Sequence, residues 1–163
     1  MRESELIRAE DRVALLRQGI VVVGAATRDR RLRVAVSAAR IDGVHEVVER
    51  RLGGGTKVVV LGDVPRRHVR RPCVGHMERE AGRLQVRYVL WRDEHVDDIV
   101  VAEDAETVVV LGTVCTPNLD ESGDSCEVPC HVYLDDALGG RTVIDGVTGE
   151  VVPYKNVYET LGT

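Results

Sequence analysis

Two short spacings in this chain place side chains capable of metal ligation near one another: Cys73 with His76, and Cys126 with Cys130. A structural zinc site needs four soft or borderline ligands, usually presented as two close pairs on short turns. Cys73, His76, Cys126 and Cys130 therefore form the candidate set for a zinc protein or a small enzyme, although neither spacing is that of a zinc knuckle. A second use competes for the same thiols. Cys115 and Cys126 bracket a polar turn containing Pro117, Asn118, Asp120 and Gly123, and in an oxidising environment a disulfide between them would restrict the unfolded chain by roughly 3 kcal/mol. In a reducing cytosol that bond would not persist. The third use is burial of thiols as small apolar groups. Cys130 and His131 do not make a nucleophile and base, because consecutive side chains on a strand point to opposite faces.

A different chemistry is carried by Arg66, Arg67, Arg70 and Arg71, which lie with His68 between Pro65 and Pro72. Clustered guanidinium forks match the geometry of phosphate and carboxylate, so these four arginines are the candidate contact for a small anionic ligand or an acidic protein partner. The ordinary alternative is a solvated loop neutralised by the acidic stretch that follows, Asp93, Glu94, Asp97 and Asp98. That stretch, with His95 inside it, lacks the central glycine and distal glutamate of a calcium loop and reads as a solvated connection between strands.

Other activities are excluded by what the motifs lack. The glycines of 52–58, LGGGTKV, are followed by a strand, whereas a phosphate loop must open a helix, so they stop a helix instead. The glycine after 20–23 lacks the three-glycine dinucleotide fingerprint, and Ser37, Ser122 and Ser125 lack the glycine-flanked elbow of a hydrolase nucleophile. The chain has 163 residues, 22 basic against 27 acidic, a net charge of −5, no Phe and one Trp. A polyanion binder or a base-stacking platform is not expected from that balance, so nucleic acid is an unlikely partner. No apolar run reaches membrane-spanning length and no export signal opens the chain, which predicts a cytoplasmic protein with no membrane association. No resident cofactor is expected, zinc being the alternative.

The elements that must position these residues follow from periodicity. Leu6, Ala9, Val13 and Leu16 share a helical face that ends at Gly19. Residues 20–25 and 32–37 read as an antiparallel strand pair. Val44, Val47, Val48 and Leu52 define a second helix, with Asp42 placed to cap it and Gly53 to end it, and a strand resumes at 57–61. Beyond an irregular stretch, 65–82, with one short strand expected near 74–78, strands are predicted at 84–91, 99–103, 107–114 and 128–134.

The segment 134–154, LDDALGGRTVIDGVTGEVVPY, specifies a closing hairpin: a strand over 141–144, turn chemistry from Asp145 to Gly149, and a return over 150–152. The order GRLQVRYVLW, IVVAEDAETVVVLGTV and HVYLDDALGGRTVIDGVTGEVV resembles a strand-rich module recurrent in small actinobacterial proteins of unknown function, over roughly half of the chain. The resemblance implies a fold and no active site. Asp136 and Ala137 stand where that module carries a proline, and many of its members are exported or lipid-anchored, unlike this chain.

Together these patterns predict an α+β protein. An N-terminal αβ portion (1–64), with its helix and strand-helix-strand unit, joins through a connection (65–82) to a mostly antiparallel β-sandwich or open barrel (83–163), the whole forming one compact unit. Function is expected to be non-catalytic binding of an anionic ligand or acidic partner, with a Cys/His metal protein or small enzyme as the alternative.

Overall fold

The valines of 108–110 are buried on both sides of their strand because both faces of that strand are covered. In the computed structural model, which describes residues 6–38, 42–61, 67–117 and 123–156, this strand, β8 (Thr107–Cys115), is the centre of the molecule. Val108, Val110 and Val114 point into one core and Val109 and Leu111 into another, as the two-residue period of a strand requires. The protein is α+β and mainly β, with two helices and ten strands among the described residues.

The N-terminal portion forms a three-stranded sheet. β1 (Ile20–Arg28) pairs antiparallel with β2 (Arg31–Ala38), and β2 pairs parallel with β3 (Lys57–Leu61) through the crossover helix α2 (Val44–Leu52). Val34, Val36, Val44, Val48 and Val58 fill the space between sheet and helix. Asp42 does not cap α2. Gly43, at φ +76°, occupies the N-cap and offers no side chain, so the left-handed turn intervenes between Asp42 and the helix. The glycine stop is as expected: Gly53 and Gly55 both adopt positive φ, and Thr56 donates its hydroxyl to the Gly53 carbonyl at 2.9 Å.

Helix α1 (Ala9–Leu16) joins the two halves of the chain. Leu15 belongs to the N-terminal core, while Val13 and Leu16 pack on Val109, Leu111 and Ile144. Its buried Asp11 is held by Arg8 at 3.0 Å and by Arg51 of α2 at 2.7 Å. A carboxylate taken out of water in this way requires such partners.

The remaining strands make two sheets that share one core, as the layers of a sandwich do. In one, β7 (His95–Glu103) lies along one edge of β8, and β10 (Thr142–Asp145) and β4 (His68–Arg71) divide the other. In the second, β5 (Cys73–Glu80), β6 (Arg83–Trp91) and β9 (Ser125–Tyr133) run antiparallel. Leu84, Val86 and Tyr88 of β6 meet Val108, Val110 and Val114 of β8 across the interior.

Three expectations change. The stretch read as a connection contains a further strand, β4, obscured by its arginines, and the short strand expected near 74–78 runs longer, as β5. His95, Asp97 and Asp98, read as a loop, lie inside β7. The closing segment turns back as expected but returns as a single bridge, Ile144 to Val151, and its strand β10 pairs parallel to β8. In that segment Gly149 takes φ +75° at the turn. Gly146 serves a different need: a Cβ there would come within 3.2 Å of the Val110 carbonyl and the Leu111 side chain. Among the described residues no helix is long and apolar enough to cross a membrane.

Candidate functional site

The arginine segment 66–71 is mostly committed to internal contacts. Arg71 donates to Glu94 at 3.0 Å, and the side chains of that pair are 15% and 5% exposed. Arg70 donates to the Gly19 carbonyl at 2.6 Å, at the end of α1, and its burial lowers its pKa from the ordinary guanidinium range. His68 faces Asp97 at 3.4 Å. Arg67 is exposed, and Arg66 lies outside the described residues.

The cysteine and histidine set is dispersed. Cys73 and His76 are on β5 and Cys126 and Cys130 on β9, with β6 between them; His76 and Cys130 both register on Val86 from opposite sides. Two strand spacings, about 10 Å, therefore separate that pair. Among the described residues no group of three or more His, Cys, Asp or Glu side chains is arranged to hold a metal. All four cysteines are free thiols, and Cys115 and Cys126 belong to different sheets, so the bridge considered from the sequence is not formed. Burial pushes the Cys73 and Cys130 thiols up, favouring the protonated and unreactive form, and pushes His76 down toward neutral imidazole. Tyr154 meets His76 edge to face at 6.0 Å but is itself largely exposed.

Two polar centres are anchors: Asp145, read from the sequence as turn chemistry, and Arg141, read as the start of a strand. Asp145, 2% exposed, accepts the Cys73 backbone N–H at 3.1 Å through one oxygen and the Thr148 N–H and hydroxyl, each at 2.8 Å, through the other. Arg141 donates to the Glu103 carboxylate at 2.9 Å and to carbonyls of Asp104, Asp136, Ala137 and Leu138, which uses its donors to pin the 135–140 loop.

The cationic groups left available gather elsewhere, at one end of the N-terminal sheet. Asp29 and Arg30, with φ of +53° and +61°, make the two-residue β1–β2 turn that places Arg28 directly opposite Arg31. Two residues further along β2, Arg33 stands opposite Lys57 at the start of β3. Like charges facing across a ladder are destabilising, yet among the described residues none of Arg28, Arg31, Arg33 or Lys57 has an ion-pair partner. They line a concavity of about 670 Å³ together with His45 and Glu49 of α2, Asp29 and Thr56. Sequence reasoning missed this cluster because Lys57 is brought to Arg33 only by the parallel register of β2 and β3.

No family model, no curated protein and no solved structure matches this chain.

Proposed function

We propose that the chain is a non-catalytic binding module for an anionic ligand or acidic partner, held at the end of the N-terminal sheet by Arg28, Arg31, Arg33 and Lys57. The observation that carries the reading is the pair of like-charge oppositions, Arg28 with Arg31 and Arg33 with Lys57, facing a concavity whose two carboxylates, Asp29 and Glu49, form no ion pair with them. A protein with net charge −5 has carboxylates to spare, and it uses them on Arg8, Arg51, Arg71, Arg87 and Arg141. An anion seated among the unpaired cations offsets the repulsion and forms charge-assisted hydrogen bonds. Arg67, although exposed, is not part of this concavity.

The test uses tripolyphosphate as the probe. Titration calorimetry at low and high salt is expected to show binding that weakens as salt rises. The double variant Arg33→Ser/Lys57→Ser is expected to bind at least tenfold more weakly while melting at or above the wild-type temperature in anion-free buffer, because a repulsion has been removed. Equal affinity of wild type and variant, or absence of binding by the wild type, overturns the reading.

A further inference from the structure

We infer that the partner is an acidic polypeptide segment that adds in extended form to the outer edge of β3, an assignment that rests on the anion-binding reading above and gives it a class of ligand. β3 is the outer strand of its sheet, with β2 on one side and no strand on the other among the described residues. An unpaired edge offers a row of backbone donors and acceptors to any incoming strand. The longer edge strands are blunted. β1 and β7 each carry a register irregularity, β5 carries two, and β9 contains Pro129. β3 has neither a bulge nor a proline.

The side chains along this edge are matched to a partner of defined pattern. Val58 is buried in the core and Val60 packs against it, so Lys57, Val59 and Leu61 share the opposite face. Val59 is 48% and Leu61 42% exposed, uncommon for two aliphatics on one short strand. At the β3 entrance stand Lys57 and Arg33, with Arg28 and Arg31 beyond. An added strand therefore meets a cationic end followed by two apolar positions at two-residue spacing. The complementary segment presents, on one face, an acidic residue and then two apolar residues at alternate positions. Main-chain pairing supplies the affinity and the alternate side chains the selectivity.

The probes are acetyl-Ser-Glu-Thr-Val-Thr-Val-Ser-amide for parallel alignment and its reversed-order counterpart for antiparallel alignment, titrated against the full chain beside tripolyphosphate. Each is also made in two N-methylated forms, one methylated on Glu and both Val, the other on the two Thr. Because alternate residues direct their N–H groups to opposite strand edges, only one methylated form blocks pairing. One peptide direction is expected to bind, with one of its methylated forms losing at least tenfold in affinity and the other retaining it. Val59→Thr/Leu61→Thr, which keeps strand propensity, is expected to weaken peptide binding about tenfold and leave tripolyphosphate binding unchanged. Tripolyphosphate binding without peptide binding, equal loss from both methylated forms, or a β3-mediated dimer by light scattering that excludes the peptide overturns the edge assignment while the anion-binding reading stands. Failure of both probes to bind overturns the two together.

Discussion

The ring of Tyr88 lies directly over Gly112: a Cβ added at residue 112 would stand 2.5 Å from Cε1 and Cζ of that ring and 2.7 Å from its hydroxyl oxygen. Both residues are on the shared core side of their strands, and Tyr88 is fully buried. Gly112→Ala is therefore expected to lose about 3 kcal/mol through overpacking. Tyr88→Phe removes a hydroxyl that is buried without a hydrogen bond of normal geometry, the Cys73 thiol beside it being a weak partner. That variant is expected to match or exceed wild-type stability by up to ~1 kcal/mol. Urea unfolding of both variants checks the pair, and a stable Gly112→Ala protein would contradict the contact.

Arg71 and Glu94 tie β4 to the turn that carries the chain from β6 into β7. Glu94 also accepts the Trp91 backbone N–H at 2.8 Å, so its carboxylate is fixed from two sides. Arg71→Ser leaves that carboxylate buried with one partner and is expected to cost about 3 kcal/mol. Arg67→Ser, at an exposed position, is expected to change the unfolding free energy from urea titration by less than ~0.5 kcal/mol. Equal effects of the two substitutions would show that Arg71 is not held as described.

Asp145 closes the final turn against β5. Asp145→Ala removes the acceptor for the Cys73 N–H and for both Thr148 donors; the exposed Thr148 donors turn to water while the buried Cys73 N–H is orphaned, at a cost of about 2 kcal/mol. Thr148→Ala is expected to cost about 1 kcal/mol, since the backbone donor of residue 148 keeps its bond. Thermal unfolding monitored by circular dichroism distinguishes the two.

His76 gives the stability a pH dependence of definite sign. Burial lowers its pKa from the ordinary value of 6.5, and its Nδ1 is buried without a partner. The unfolded chain therefore takes up a proton near pH 6.5 that the folded chain resists. Its contribution is fully present above that pH and declines as pH falls toward the lower folded value. His76→Gln is expected to flatten the difference in urea midpoint between neutral and mildly acidic buffer. An unchanged slope in the variant would assign the effect to other groups.

Thiol reactivity should follow exposure. Cys126 is exposed, Cys115 and Cys130 are half-buried, and Cys73 is in the core. Alkylation followed by intact mass is expected to modify Cys126 first and Cys73 only on unfolding. Rapid labelling of Cys73 in native buffer would contradict its buried position beside Tyr88.

Much of the architecture could be read from periodicity. Val13 and Leu16 announced a packed helical face, and the alternation from Leu84 to Leu90 announced a half-buried strand. What escaped depended on contacts distant in the chain. β4 was obscured because its Arg70 and Arg71 look like solvent groups until Gly19 and Glu94 are placed beside them. The parallel pairing of β10 with β8 was not visible because turn chemistry at 145–149 specifies a reversal but not the neighbour that receives it. The cationic concavity was hidden for a related reason: Arg33 and Lys57 are separated by a helix, and neither is unusual alone.

Because α1 contributes Leu15 to one interior and Val13 and Leu16 to the next, the first third of the molecule cannot detach as an independent module without exposing the back of β8. Melting of either half strips apolar cover from the other, so loss of structure should spread through this helix as a common hinge pin. The amide protons of β8, enclosed on two faces and bonded along both flanks, would then be the last to exchange with solvent.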